Sequence, residues 1–445
     1  MSPAPEPSTP WLLRWQGVLS ASAPGPLASR LPLLAGLVLC ALMAGLPLVT
    51  RGGLSLLILA AGLLWLLWAL GRPAGRIGAI SGWLLLMLGI AVVATGCSPV
   101  PLAAFKGLLK LLSYLGVYAL MRQLLAQAPQ WWDRIVAALL AGELLSAVLA
   151  IRQLYGDTSE LARWADPNSV ADGTIRVYGP LENPNLLAGY LIPILPIALV
   201  ALLRWRSWPQ RLFAAASLLL GTIALFLSYS RGGWLGMLAA LGGLILLLVL
   251  RQTRHWPPLW RRLFPLLLIT ASVAMLVVAV TQVEPLRIRV LSLVAGRQDS
   301  SNNFRINVWL AAIDMIQERP WLGIGPGNSA FNLIYPLYQQ PKFNALSAYS
   351  VPLELLVEGG VPNLLAGLGL LIASLRAGLA QLKGESSWAL PALAAVAAIA
   401  GLGVQGLTDT IFFRPEVQIS GWFCLATLAV SRSSSPQEPQ RPADG

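Results

Sequence analysis

Glu318-Arg319-Pro320-Trp321-Leu322-Gly323-Ile324-Gly325-Pro326-Gly327-Asn328 sits near the centre of Thr281–Gly360, the one long polar interruption in an otherwise apolar chain. Before it come Glu284-Pro285-Leu286-Arg287-Ile288-Arg289 and Asn303-Phe304-Arg305-Ile306-Asn307-Val308-Trp309. After it come Ser347-Ala348-Tyr349-Ser350-Val351-Pro352-Leu353-Glu354 and Glu358-Gly359-Gly360. Apolar runs flank this stretch on both sides, and crossing a bilayer takes about 20 such residues. Polar groups at this density have no place in hydrocarbon. The stretch therefore reads as a loop that the flanking helices hold at one membrane face.

Working outward, spanning segments are expected at 31–49, 53–71, 77–95, 102–121, 132–151, 186–203, 211–229, 231–250, 262–281, 352–378, 388–406 and 416–431. The last is short and follows the polar Thr408-Asp409-Thr410 and Arg414-Pro415-Glu416. The expected fold is an all-α polytopic membrane protein with about 12 (10–12) transmembrane helices. Two extracytoplasmic loops are expected, 152–185 and 282–351, the larger containing a short helix. A cytoplasmic tail covers 1–30, the membrane domain 31–431, and a second tail 432–445.

Composition agrees with this class. The chain is 56 % hydrophobic and 11 % charged over 445 residues, against about 25 % charged in soluble domains. The net charge of +12 does not point to nucleic acid, because the basic residues stand singly or in pairs at helix ends, the pattern of membrane anchoring. Cys40, Cys97 and Cys424 lie in or beside apolar segments without metal-ligand spacing and read as small hydrophobes. No metal or cofactor is expected.

Short loops on the side of the N-terminus collect Arg72, Arg76, Arg204, Arg206, Arg211, Arg251, Arg254, Arg261 and Arg262, whereas those on the other side carry only Arg51, Arg231 and Arg414. The positive-inside rule then puts both long loops outside, on the periplasmic or lumenal face of an inner (plasma) membrane. Inside the spans, Lys110 and Glu143 each lie about 11 residues from the same end of adjacent antiparallel helices, roughly 16 Å deep. An intramembrane pair relieves the cost of each charge. Such a pair is either structural or part of an ion or proton path.

Three polar clusters fall on the outer side. Arg176 precedes Asn183-Pro184-Asn185, a helix start that Asn185 can cap. Ser228-Tyr229-Ser230-Arg231-Gly232-Gly233-Trp234 joins two spans by a turn too tight to hold a loop, which fixes Arg231 near the surface. In the large loop, Ser301 or Asn302 can cap a helix running to Glu318, with Arg305 in its first turn and an apolar stripe of Ile306, Trp309, Leu310, Ile313 and Ile316. Gly323, Gly325 and Gly327 are wrongly spaced for a nucleotide-binding loop.

Together these stretches resemble the O-antigen ligase and polymerase superfamily. The carriers are Arg176…Asn183-Pro184-Asn185, Ser228-Tyr229-Ser230-Arg231, Arg305…Trp309…Arg319-Pro320-Trp321-Leu322-Gly323-Ile324-Gly325-Pro326-Gly327-Asn328, and Leu353-Glu354…Glu358-Gly359-Gly360. Within the superfamily, Leu346-Ser347-Ala348-Tyr349-Ser350 resembles the cyanobacterial IctB branch, named for inorganic-carbon (bicarbonate) transport. The resemblance implies a metal-independent transfer of a glycan from a polyprenyl-pyrophosphate carrier to an acceptor hydroxyl. Carried over by position, Arg176, Arg231 and Arg305 are the anion-holding set. The family's basic histidine falls on Tyr349, and the chain's one histidine, His255, lies on the opposite face. A tyrosine, titrating near 10, is a poor base, and Glu354 is the substitute one turn on.

The expectation is therefore an IctB-like membrane protein with an outer-face anion site. The alternative is an O-antigen ligase or polymerase that uses a different base. Expected partners are membrane lipid and either a polyprenyl-pyrophosphate-linked glycan or bicarbonate, with no nucleic acid.

Overall fold

No water reaches hydrocarbon to satisfy backbone N–H and C=O groups, so a chain this apolar must satisfy them within helices. The computed structural model describes residues 26–71, 77–156, 176–282 and 296–433, together with 284, 287, 288, 290 and 291. Most of the expected tails 1–30 and 432–445, and the middle of the 152–185 loop, lie outside the described residues. The described residues are helices, turns and irregular connections, with no strand.

The long helices are α1 (Pro26–Gly45), α2 (Arg51–Gly71), α3 (Ala79–Gly96), α4 (Pro101–Gln127), α5 (Trp131–Arg152), α6 (Pro184–Arg204) and α7 (Trp208–Leu227). Next come α8 (Arg231–Met237) and α9 (Gly243–Gln252), joined through a π-helical turn at Leu238–Gly242, and then α10 (Pro258–Gln282). The large polar segment folds into α11 (Ser300–Glu318) and α12 (Asn328–Ile334). It is followed by α13 (Val351–Ala380), α14 (Ala389–Gly406) and α15 (Pro415–Ser433). Each expected span coincides with a helix, although α1 starts at Pro26, inside the stretch expected as a tail. Among the described residues nine helices are long and apolar enough to cross a membrane. The chain is an integral membrane protein.

α6 lies at the centre, buried without a break from Leu186 to Ala198 despite Pro193 and Pro196. It packs against α7 and α14. Large apolar side chains such as Leu56, Leu66, Leu219 and Val273 face outward, as lipid contact demands. Small residues bring backbones together inside, where Gly236 of α8 meets the carbonyl of Gly401 on α14.

The large polar segment has a core of its own. Val308, Ala311, Ala312 and Met315 of α11, Phe331 of α12, and Tyr335 bury against Ala103 and Ala104 of α4 and Val357 of α13. This corrects the expected stripe on α11, since Leu310 and Ile313 are 48 % and 40 % exposed. Ala311 and Ala312 allow close packing, Met315 and Ile316 fill the core beside them, and Leu310 and Ile313 are left on the outer surface.

Two close approaches seat this segment. Gly327 adopts φ +94°, and a Cβ on the facing Gly107 of α4 would stand 1.9 Å from the Pro326 carbonyl oxygen. At Gly360 (φ 68°) α13 breaks. The break frees the carbonyls of Val357 and Glu358, which accept the N–H groups of Ile324 (2.8 Å) and Gly325 (3.0 Å). Val361 N–H donates in turn to the Pro320 carbonyl at 2.8 Å. The glycine-rich turn thus satisfies the backbone of a broken helix.

Candidate functional site

Three helices start at one end of the bundle in the same way. A non-glycine residue in the left-handed region precedes an N-cap: Glu182 (φ 58°) before Asn183, Tyr229 (φ 49°) before Ser230, and Tyr349 (φ 49°) before Ser350. That conformation costs a residue with a Cβ roughly 1–2 kcal/mol, so packing must hold it. Around Tyr229 it does, because Trp234 stacks on Phe226 with centroids 5.0 Å apart and donates its indole N–H to the Phe226 carbonyl.

The Asn183 side chain accepts the N–H groups of Asn185 (2.8 Å) and Leu186 (3.2 Å). Asn183, not Asn185, is therefore the cap of α6, which leaves the Asn185 amide oxygen to accept from Arg176 Nη2 at 2.8 Å. Arg176 Nε donates to the Ser228 carbonyl at 3.0 Å, so Arg176 is tied to the turn that carries Arg231. Ser230 caps α8 through Gly233 N–H at 3.2 Å, which places Arg231 in the first helical turn.

Arg231 Nη2 reaches Asp299 Oδ1 at 3.0 Å, and both side chains are largely buried. Asp299 also accepts the Asn302 N–H at 3.0 Å and is the cap of α11, in place of the expected Ser301 or Asn302. Ser301 instead accepts from Arg305 Nη1 at 2.6 Å. Arg305 Nε donates to the Thr408 carbonyl at 2.9 Å, and its Nη2 stands 3.9 Å from Asp409 Oδ2. Arg305 lies within Coulombic reach of Arg231, and Arg176 within reach of Asp409.

The three arginines of three separate segments therefore gather at one place, beside two buried aspartates and the N-termini of α6, α8 and α11. Among the described residues, three guanidinium groups stand with two carboxylates, next to the positive ends of these helices. The arrangement suits an anion with several oxygens, because guanidinium groups bind oxyanions through planar paired donors.

Asp409 and Asp299 are the site residues that sequence reading missed. Asp409 stood in view as the acidic member of Thr408-Asp409-Thr410, and Asp299 as an Asp three residues before Asn302, a common helix-cap spacing. Burial pushes the Asp409 carboxyl above the usual aspartate range, against the opposing pull of Arg305. Tyr349 lies within Coulombic reach of both, and burial, followed by the charge of Asp409, pushes its hydroxyl up. Its backbone carbonyl accepts the Trp309 indole N–H at 3.3 Å, and its ring packs edge-on against Phe304.

Glu354 has no arginine of this cluster among its charged neighbours. Its carboxylate is buried and accepts the Ala348 N–H at 2.6 Å, while Glu358 accepts the Gly327 N–H at 2.6 Å. The two acids pin the polar segment to α13, and their charged neighbours are each other and Lys110.

The expected Lys110–Glu143 pair does not form. Lys110 Nζ donates to the Phe413 carbonyl at 3.0 Å, over the Tyr114 ring. Glu143 is buried and accepts from Ser217 of α7, with Gly221 leaving room for its carboxyl group. Their directions differ, since α5 turns Glu143 toward α7 and α4 turns Lys110 toward the segment before α15.

Residues 214–367 match the sequence model of the O-antigen ligase family (Wzy_C). The match runs from α7 to the first part of α13 and includes Arg231, Asp299, Arg305 and Tyr349; Arg176 and Asp409 lie outside it. It supports the O-antigen ligase superfamily and not the finer IctB placement. No curated protein matches the chain.

Proposed function

We propose that this chain is a metal-independent membrane glycosyltransferase of the O-antigen ligase or polymerase type, which takes its glycan from a polyprenyl-pyrophosphate carrier. The observation that carries the reading is the convergence of Arg176, Arg231 and Arg305 beside Asp409. Bicarbonate needs one guanidinium and a backbone amide, whereas a pyrophosphate leaving group calls for several paired donors. The count of arginines therefore favours the lipid-linked donor over inorganic-carbon transport.

In this reading the acceptor hydroxyl oxygen bonds to the anomeric carbon of the donor sugar as the bond from that carbon to the pyrophosphate oxygen breaks. The bonding pair leaves with the polyprenyl pyrophosphate, whose charge the three arginines hold. The hydroxyl proton passes to Asp409. A carboxylate with a raised pKa is better matched to this step than an ordinary one, and a neutral Tyr349 hydroxyl would serve as a hydrogen-bond donor rather than as the base. Asp299 positions Arg231. By the loop-charge rule the site faces the periplasm or lumen, so that both partners of the reaction, lipid carrier and acceptor, meet it there.

The test is binding of a prenyl-pyrophosphate analogue to purified protein. Arg→Lys at position 176, 231 or 305 keeps the charge and removes the paired donors, and each change is expected to weaken binding by about tenfold or more. Binding of the analogue no better than to empty detergent micelles, or binding that survives all three changes together, would rule the site out.

A further inference from the structure

At the end of the bundle opposite the arginine site, Arg254, Arg261, Arg262 and Lys383 line one groove of about 480 Å³. It lies where α9 ends, α10 begins and α13 ends. Leu250 and Pro265 give it an apolar wall. Arg261 closes the first turn of α10 and Arg262 follows it, at the end where the helix dipole disfavours cations. Arg254 is tied to the turn after α13, donating to the Lys383 carbonyl and to Glu385 Oε1 at 3.0 Å each. Glu385 is 84 % exposed and is the one carboxylate that pairs with these cations among the described residues. Four like charges beside a positive helix end are thus met by one solvated carboxylate, so the groove favours an anion.

Its setting says which anion. Trp256 and Trp260 stand exposed beside it, as aromatic side chains do at the level of lipid headgroups. Beyond the groove, α10 turns Leu266, Leu267, Ile269 and Val273 outward. These side chains continue the apolar wall in the direction an acyl chain would run. We infer that this groove binds the headgroup phosphate of an anionic phospholipid, with the acyl chains lying along α10. Clusters of basic residues at membrane ends are suited to such headgroups, each cation contributing a factor of roughly five in affinity.

The experiment uses the full chain purified in detergent and measures binding of phosphatidylglycerol, phosphatidylcholine and inorganic phosphate, for example by native mass spectrometry. Phosphatidylglycerol is expected to bind about tenfold or more tighter than phosphatidylcholine, and inorganic phosphate is expected not to displace it. The triple change Arg261→Gln, Arg262→Gln, Lys383→Gln should weaken phosphatidylglycerol on the order of 100-fold. Arg254 is kept because it holds the turn after α13. If the triple variant melts below wild type, Arg261→Gln and Lys383→Gln alone are each expected to weaken binding about fivefold. Arg231→Lys, at the other end, should leave this binding unchanged. Equal binding of the two lipids, full displacement by inorganic phosphate, or undiminished binding in the variants would overturn the inference.

Discussion

The two ends of this helix bundle both carry arginine–aspartate pairs, yet they are built differently. At one end Arg231 meets Asp299 with side chains 11 % and 1 % exposed, inside turns that force Tyr229 and Glu182 into the left-handed region. At the other, Arg204 grips Asp133 with both nitrogens of its fork (3.0 and 3.2 Å), Trp205 adds an indole N–H, and the pair is about 30 % exposed. Bringing three guanidinium groups and two carboxylates out of water is costly to a fold unless each is well partnered, and an oxyanion bound there would offset part of that cost. A half-exposed pair at a helix end satisfies its own charge and needs no ligand. The difference lies in burial and strain, not in residue type.

The largest effect is expected at Asp409. Asp409→Asn should lower glycan transfer by about 10²–10⁴-fold while leaving donor binding nearly intact, as removal of a general base does. Stability moves the other way. Burial raises the Asp409 carboxyl above its ordinary 3.8, so the folded state holds the proton more tightly than the unfolded chain. That contribution is full below the ordinary aspartate range and is lost as pH rises through the raised folded value. Wild type should therefore lose thermal stability across that window, and Asp409→Asn should lose less. Transfer at the wild-type rate by Asp409→Asn would take the base role away from this residue.

Next in size is Asp299→Ala. It strands Arg231 among buried groups, and breaking a buried pair in this way costs about 3–5 kcal/mol. It also removes the cap of α11, worth about 1 kcal/mol. Denaturation monitored by helix content should show a fall of that order, and donor binding should weaken because Arg231 is no longer held. A melting temperature equal to wild type would mean that the two ends of the bundle differ less than their burial implies.

How much of this was legible in the sequence follows from what each inference depended on. The spans were legible because about 20 apolar residues in a row have one common use. That Arg176, Arg231 and Arg305 come together was anticipated through the family resemblance, which carries the three over by position. Their partners were not, since Asp409 is 104 residues from Arg305 and only the packing of the polar segment brings them together. Lys110 and Glu143 failed for a related reason. Depth along a helix is linear in residue number, but direction around it depends on how each helix is rotated, and Ser217 and Gly221 of α7 took the face that Lys110 was expected to fill. On α11 the apolar stripe was only half right: Leu310 and Ile313 face outward, while Ile316 packs on the core and Trp309 reaches the Tyr349 carbonyl. The glycines of 323–327 carried no nucleotide signal because their use is to admit backbone against Gly107 and the break at Gly360.

The smallest effect is expected at the opposite end. Arg204→Lys keeps the charge beside Asp133 and loses the forked geometry together with the stacking of the guanidinium over Trp132, 5.5 Å from the ring. Half-exposed pairs contribute little, about 0–1 kcal/mol, because solvent screens them, and the aromatic contact adds about 0.5–1 kcal/mol at such a site. A stability loss of roughly 1 kcal/mol is expected, with donor binding and transfer unchanged, since no part of the arginine site rests on this end of α6. The useful comparison is the ratio of losses in one assay. If Arg204→Lys cost as much as Asp299→Ala, burial would not be what separates the two ends. If it lowered donor binding, α6 would be transmitting strain from Trp205 to Asn183, and the two ends could no longer be treated as independent.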